Sequence, residues 1–394
     1  MGEQQNPFRT GGIARGHRFA DREREVARIG QGLREAGGKL LVYGPRRMGK
    51  TSAIARALDL EQARGGTVAR ADLSTLSSLA DMADVVLREV TRAVAAGKGF
   101  DDFLAEILKR VNIGFSVKQD ASTGVPIPQV DVSMRSKPLE EQKLAVGEVF
   151  DAIDGMAAEH GIVIGLVLDE FQEIHRFEEN FSEWNLRHII EQHENVGYVL
   201  AGSKRSLIDR MLEADGAFYR MFDKLTVGPI AEDYLVPWME ERLAPLGDGA
   251  GEASERIVAL AGERTHDRMR LARHTWFRAQ QAGRSGRGAV DHAFAGLVEE
   301  DADEFLRQWV HLTVPQQNVL RAVSMKVKGL STADTLQRFA LKNSPTAVQA
   351  AQVLVERELL FQRPGEKGYF FDNPYFEAWV RERTAIDLGM EPPE

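Results

Sequence analysis

Residues Gly44, Pro45, Arg46, Arg47, Met48, Gly49, Lys50 and Thr51 fit the spacing G-x-x-x-x-G-K-[ST]. No other segment of the chain restricts its fold as much. A loop of this pattern curls successive backbone N–H groups around a phosphate, and its glycines permit the tight path. The lysine reaches the β- and γ-phosphates, and the hydroxyl that follows it serves Mg2+. That chemistry needs a strand to deliver the chain and a helix N-terminus to follow, so that the helix dipole faces the anion. Both flanks comply: Lys39–Tyr43 reads as a strand and Ser52–Leu58 as a helix. The candidate nucleotide-binding residues are therefore Gly44 through Thr51 with Ser52. Lys50 also acts on the reacting phosphates, and Thr51 faces the metal.

The surrounding pattern supplies a sheet to carry the loop. Between Phe19 and about Ile230, short apolar runs at Lys39–Tyr43, Gly66–Ala71, Ile162–Leu168, Tyr198–Ala201 and Leu225–Val227 alternate with helix-length segments. Five such runs predict a parallel sheet covered on both faces. Ligands of open α/β sheets bind at the C-terminal strand edge, which is where Asp169 and Glu170 fall. Phosphoryl transfer needs a metal to neutralise charge and a group to orient the nucleophile; Asp169 is expected to bind Mg2+ through water or directly, and Glu170 to polarise the attacking water. Ser203 ends the run beginning at Tyr198. It can hydrogen-bond the γ-phosphate or the attacking water, or simply cap a helix. Arg220, before the last run, is a candidate for stabilising transition-state charge within the chain or across a subunit boundary, with a surface salt bridge as the alternative.

Outside this pattern, residues 112–134 alternate polar and apolar residues about a Gly/Pro/Ser-rich middle, which predicts a β-hairpin inserted in the α/β domain. The remaining punctuation divides the chain into an arm (1–18), the phosphate-loop domain (19–230), a helical lid (231–300) and a last domain (301–394). Gly283–Gly288 reads as a flexible joint. Within the last domain, three helical segments precede Leu359–Phe371, whose Pro-Gly and Lys-Gly turns suggest two short strands, so the order is that of a winged helix. Its aromatic residues Tyr369, Phe370, Phe371, Tyr375, Phe376 and Trp379 are expected to form a small core.

Composition removes other classes. The 394 residues contain no cysteine, which excludes disulfide scaffolds, zinc ribbons and thiol nucleophiles and fits a reducing compartment. Fifty basic against fifty-nine acidic residues give a net charge of −9, which argues against a surface built throughout for polyanions. No run approaches the ~20 apolar residues of a membrane helix, and the N-terminus has no signal-peptide core. The chain is expected to be cytoplasmic, with no membrane partner. The pairs His188/His193 and His266/His274 lack metal-ligand spacing. On the expected recognition helix, Gln349, Gln352 and Arg357 carry little positive charge. Lys342 precedes that helix, and Arg363 and Lys367 lie on the wing. Duplex DNA relies on several phosphate contacts, so DNA and protein partners both stay open.

With these residues in view, the chain resembles the archaeal-type ATPase family, a branch of the STAND and AAA+ P-loop ATPases. The resemblance rests on Asn6-Pro7-Phe8, on Phe19-Ala-Asp-Arg22-Glu-Arg-Glu25, on the phosphate loop, on Leu168–Ile174 (LDEFQEI), on residues 201–208 (AGSKRSLI), on Phe218–Phe222 (FYRMF), and on Phe371–Trp379. It implies an α/β fold: a P-loop AAA+-like parallel sheet of order 5-1-4-3-2 with a helical lid and a C-terminal winged-helix domain. It further implies an ATP/ADP site with Mg2+, Phe19 and Arg22 against the adenine, Ser203 as first sensor and Arg220 as the arginine before the fifth strand. The family's Gly-x-Pro of the lid is missing from Ala261–Arg268, where Arg268 or Arg270 would stand as second sensor.

Three functions follow as expectations. The first is a Mg2+-dependent, slowly hydrolysing ATP switch that is read by a partner and is capable of nucleotide-dependent oligomerisation. The second is an ATP-gated DNA-binding protein resembling origin-recognition ATPases. The third is a nucleotide-binding scaffold with negligible turnover, against which the intact Asp169–Glu170 pair argues. ATP over GTP rests on the resemblance.

Overall fold

The computed structural model describes residues 5–95, 107, 109–111, 114–120, 124, 126–176, 183–203, 216–283, 285–363 and 365–389. Two compact units divide the chain. One is Ile13–Gly228; the other joins the residues up to Gly12 to Pro229–Glu394.

In the first unit, β1 (Lys39–Tyr43), β2 (Thr67–Asp72), β5 (Ile164–Asp169), β6 (Val196–Gly202) and β7 (Asp223–Thr226) form one sheet of order β2-β5-β6-β1-β7. Every pairing in it is parallel. Counting the five sheet strands along the chain, this is the expected order 5-1-4-3-2. The central strands β5 and β6 are buried along their whole length, as a strand covered on both faces must be.

Alternation then assigns side chains to faces. Leu40, Val42, Val68, Val167, Val199 and Ala201 pack with Ile29 and Leu33 of α1 (Glu23–Arg34) and with Ala53 and Ile54 of α2 (Lys50–Ala63). On the opposite face Leu41, Ala69, Leu166, Leu168, Tyr198 and Leu200 meet Val86 of α3 (Leu79–Ala95) and Phe150 of the helix Leu139–Glu159. The expected hairpin is present as the antiparallel pair β3 (Phe115–Gln119) and β4 (Pro126–Val130). It is tied to α3 where the Val130 amide donates to Asp84 Oδ1 at 2.7 Å.

The second unit begins with helices Glu232–Leu243, Ala250–Leu260, Thr265–Ala282 and Arg287–Glu300. Helices Ala302–Val310, Val314–Ser324, Ala333–Arg338 and Ser344–Glu356 follow. Then come the antiparallel strands β8 (Leu360–Phe361) and β9 (Phe370–Phe371) and a last helix, Pro374–Leu388. Four helices, where three were expected, precede the ribbon between residues 302 and 356. The helix starts are set by local chemistry: a Thr313–Gln316 capping box, and Asn343 and Asn373 side chains accepting first-turn amides. Of the six expected core aromatics, Phe371, Tyr375, Phe376 and Trp379 are buried, while Tyr369 and Phe370 are only partly so. The Tyr375 hydroxyl also donates to the Asp267 carbonyl at 2.9 Å, so the last helix is pinned to Thr265–Ala282. The segment read as a flexible joint is anchored, because buried Ser285 donates to the Gly247 and Asp248 carbonyls at 3.1 and 3.2 Å. No helix among the described residues is long and apolar enough to cross a membrane.

Candidate active site

β1 ends at Tyr43 and the chain turns at Gly44, whose φ of +154° brings its backbone against β7. A Cβ placed there would lie 2.2 Å from the Val227 carbonyl oxygen, so only glycine lets the loop start in this position. The approach is fixed by the Val227 amide, which donates to the Tyr43 carbonyl at 2.7 Å. The loop then passes through left-handed Arg47 (φ +66°) and Gly49 (φ +92°) into α2 at Lys50. Gly49 accepts from the Ala53 amide as the helix begins. Lys50 is buried, and its amine donates to the carbonyls of Gly44 and Pro45 at 2.9 Å each. The ammonium is thus already aimed back over the loop. Arg46 and Arg47 are exposed, Met48 is buried, and Thr51 and Ser52 are half-buried in the first turn.

β5 and β6 bring the other candidates beside one another. Asp169, the last residue of β5, is buried. Burial pushes its carboxyl above the ordinary range, and the Arg70 guanidinium beside it pulls the other way. Glu170 takes a left-handed φ of +53°, with its amide donating to Asp169 Oδ1 at 3.0 Å. That turn directs the Glu170 carboxylate toward β6, where Ser203 Oγ donates to its Oε2 at 3.1 Å. Gln172 completes the link: its side-chain amide donates to Glu170 Oε2, and its carbonyl oxygen accepts the Ser203 amide at 3.2 Å. Arg46 reaches in from the phosphate loop, with Nε 3.4 Å from Ser203 Oγ. Glu170, Ser203 and the phosphate loop therefore share one network at the C-terminal strand edge. Residues 204–208 of the run AGSKRSLI lie outside the described residues.

Other candidates occupy different roles. Arg22 is left-handed (φ +77°) and buried. Its guanidinium donates to the Met48 and Gly228 carbonyls at 2.7 Å each and to Glu25 at 2.8 Å. It braces the phosphate loop from behind. Phe19 is partly buried against the core that includes Val42 and Ala53. Arg220 is exposed and lies over the Tyr219 ring, 5.1 Å from its centroid. In the second unit, Arg268 is buried with its guanidinium on the Gly262 and Ile230 carbonyls and on Glu232, and burial lowers its pKa. Arg270 forks onto both oxygens of Asp301. Both side chains thus hold helices of their own unit together. His193 is buried between Tyr198 and Asp151, as a packing histidine.

Two residues escaped the sequence reading. Gln172 gave no signal beyond its place in LDEFQEI. Arg70, within β2, donates to Asp169 Oδ2 from Nε at 3.0 Å and from Nη2 at 2.7 Å. Nothing local marks a strand arginine as the partner of a carboxylate 99 residues away.

The donor set fits a nucleotide with Mg2+. The Gly44 cradle admits no side chain, Lys50 faces the loop, and Thr51 and Asp169 offer a hydroxyl and a carboxylate. Among the described residues no group of three or more His, Asp or Glu could cage a metal. Mg2+ held by one or two carboxylates and by phosphate oxygens needs no such cage.

Residues 33–211 match the family model described as an AAA domain. Among solved structures, the chain is similar to a Walker-type ATPase of Pyrococcus abyssi, with 17% identity, a TM-score of 0.59, and 95% of this chain and 99% of that one covered. It is also similar to the ORC2 protein of Aeropyrum pernix in ADPNP–ADP complexes, with 14% identity, a TM-score of 0.54, and coverage of 98% and 99%. At these identities the likeness concerns the fold. No curated protein matches the chain.

Proposed function

We propose that this chain, an AAA-domain protein through residues 33–211, is a Mg2+-dependent ATP-binding and hydrolysing switch whose nucleotide state is read through its C-terminal unit. The observation that carries this reading is the Glu170–Ser203–Gln172 network beside the Lys50 loop. A scaffold that only bound nucleotide would need the loop, but not a carboxylate held two strands away from it across the sheet.

In this reading the loop amides and Lys50 hold the phosphates, and Thr51 and Asp169 hold the metal. When bound, ATP brings the transferable phosphoryl group and Mg2+ neutralises its charge. Glu170 accepts the proton of the attacking water, and Ser203 and Gln172 keep its carboxylate pointed toward β6 until that water arrives. Arg220, exposed before β7, is the residue offered to a neighbouring subunit. Phe19 supplies an apolar edge to the base.

For the partner, the wing favours a protein. Arg363 is taken up by Glu263 at 2.8 Å and Glu366 at 3.5 Å and lies over the Phe370 ring. This leaves Lys342, Arg357 and Lys367 as the exposed cations near the expected recognition helix, a thin set for duplex phosphates.

ATP turnover with and without duplex DNA, beside a Lys50→Ala control, tests both readings. Lys50-dependent turnover indifferent to DNA supports a protein-read switch. Stimulation by DNA, lost steeply with salt, favours the ATP-gated DNA-binding alternative. Turnover that survives Lys50→Ala would sink the assignment.

A further inference from the structure

Arg70 and Asp72 near the end of β2 stand beside Asp169 at the end of β5, and the register pairs Asp72 with Asp169 directly. Alternation places Arg70 and Asp72 on the side of Val68, and Asp169 on the side of Val167. Both valines pack with Ala53 and Ile54 of α2, the helix that begins at Lys50 and Thr51. Two carboxylates facing one another on adjacent strands repel. The Arg70 guanidinium sits between them: Nη2 is 2.7 Å from Asp169 Oδ2 and 3.1 Å from Asp72 Oδ2, with Nε also on Asp169 at 3.0 Å. The second Asp169 oxygen accepts the Glu170 amide. Both oxygens of the proposed metal ligand are therefore engaged, one of them by the Arg70 guanidinium of the next strand.

We propose that Arg70 is a built-in competitor for the divalent cation, so that direct metal coordination by Asp169 requires the guanidinium to withdraw onto Asp72. The inference rests on the reading of Asp169 as the metal ligand. A guanidinium does not deprotonate in a protein, so it cannot yield by losing its charge and must move. Like charges a few ångströms apart in a partly buried setting oppose one another strongly. Asp72 makes the move feasible. Its side chain is 46% exposed against 3% for Asp169, and it already touches Nη2, so withdrawal carries the cation from a buried partner to a solvated one without leaving it unpaired. The affinity of the site for metal is thereby set by a residue that is neither a metal ligand nor a nucleotide contact.

The test is direct Mn2+ binding to the full chain, followed by the electron paramagnetic resonance signal of free Mn2+. Arg70→Gln removes the competing charge and should bind Mn2+ about tenfold more tightly than wild type. Its melting temperature should rise with Mn2+ more than that of wild type, because a ligand stabilises the state it binds. Asp169→Asn in the same background should abolish the gain. Equal or weaker Mn2+ binding by Arg70→Gln overturns the proposal. If that variant does not fold, Asp72→Asn decides: removing the retreat partner should weaken Mn2+ binding several-fold, and unchanged or tighter binding overturns the idea. Fluorescent ADP binding by wild type and Lys50→Ala, measured separately, judges the ATP reading. A chain that binds no nucleotide sinks that reading, while the Mn2+ titration still judges Arg70.

Discussion

Ser203 Oγ donates to Glu170 Oε2 over 3.1 Å, so the carboxylate at the tip of β5 is held by the tip of β6. Glu170 reaches this position through a left-handed backbone, a conformation that costs a non-glycine residue on the order of 1–2 kcal/mol. The cost is met locally, where its amide bonds to Asp169 Oδ1 and the Gln172 side-chain amide donates to Glu170 Oε2. A general base acts through its charge as well as its position, so Glu170→Gln should lower turnover by about 10²- to 10⁴-fold while fluorescent nucleotide still binds. Ser203→Ala should cost far less, because Gln172 remains. Phosphate release beside a nucleotide-binding titration separates the two effects, and equal turnover in Glu170→Gln would remove the residue from the mechanism.

Gly44→Ala tests the loop without touching a charged group. The new methyl carbon would meet the Val227 carbonyl oxygen at 2.2 Å, in a backbone region that L side chains rarely adopt. The loop must shift or β7 must part from β1, and strain of this kind costs about 3 kcal/mol. The expected result is a lower melting temperature together with weakened nucleotide binding. Wild-type values for both would mean that the loop has more room than the Val227 contact indicates.

The residues legible from sequence share one property: their chemistry is declared by near neighbours. Lys50 is announced by a glycine one residue before it, and Asp169 by seven apolar residues that can only be a buried strand. The sheet order followed from the resemblance those motifs carried. Arg70 and Gln172 declare nothing locally. Arg70 sits in a short strand where its charge looks like surface, and its function arises only when β2 and β5 pair in register. The motif around Arg22 implies a base contact but gives no sign that its guanidinium is enclosed by the Met48 and Gly228 carbonyls, a partnership fixed by the closure of β7 beside β1. Long-range pairing of this sort leaves no trace in local spacing.

His274 supplies a pH signature for the second unit. Burial, more than the nearby Arg270, Arg273 and Arg278, holds its imidazole below the ordinary value, while Glu300 pulls upward. A histidine whose folded pKa is depressed takes up its proton more readily when unfolded, so stability is lost as pH falls through the unfolded value of about 6.5. His274→Gln, which cannot titrate, should flatten the fall in melting temperature between about pH 7 and pH 5. A wild-type slope in that variant would place the pH dependence elsewhere.

Phe8 belongs to the Asn6-Pro7-Phe8 motif within the N-terminal arm, yet it is 2% exposed. Its ring meets Trp238 and Trp276 edge-on, with centroids 6.0 and 6.4 Å away. Asn6 sets the approach, accepting from the Phe8 amide at 2.9 Å and donating to the Arg273 carbonyl at 3.1 Å. Thr10 accepts from Arg273 at 3.0 Å. These residues staple the N-terminal strap to helices Glu232–Leu243 and Thr265–Ala282. Truncating a buried phenylalanine costs about 3–5 kcal/mol, so Phe8→Ala should lower the thermal midpoint of the C-terminal unit, followed by tryptophan fluorescence. Phe8→Leu should recover most of the loss, since the site needs apolar volume more than a ring. If Phe8→Ala melts like wild type, the strap adds nothing to the stability of the unit it packs into.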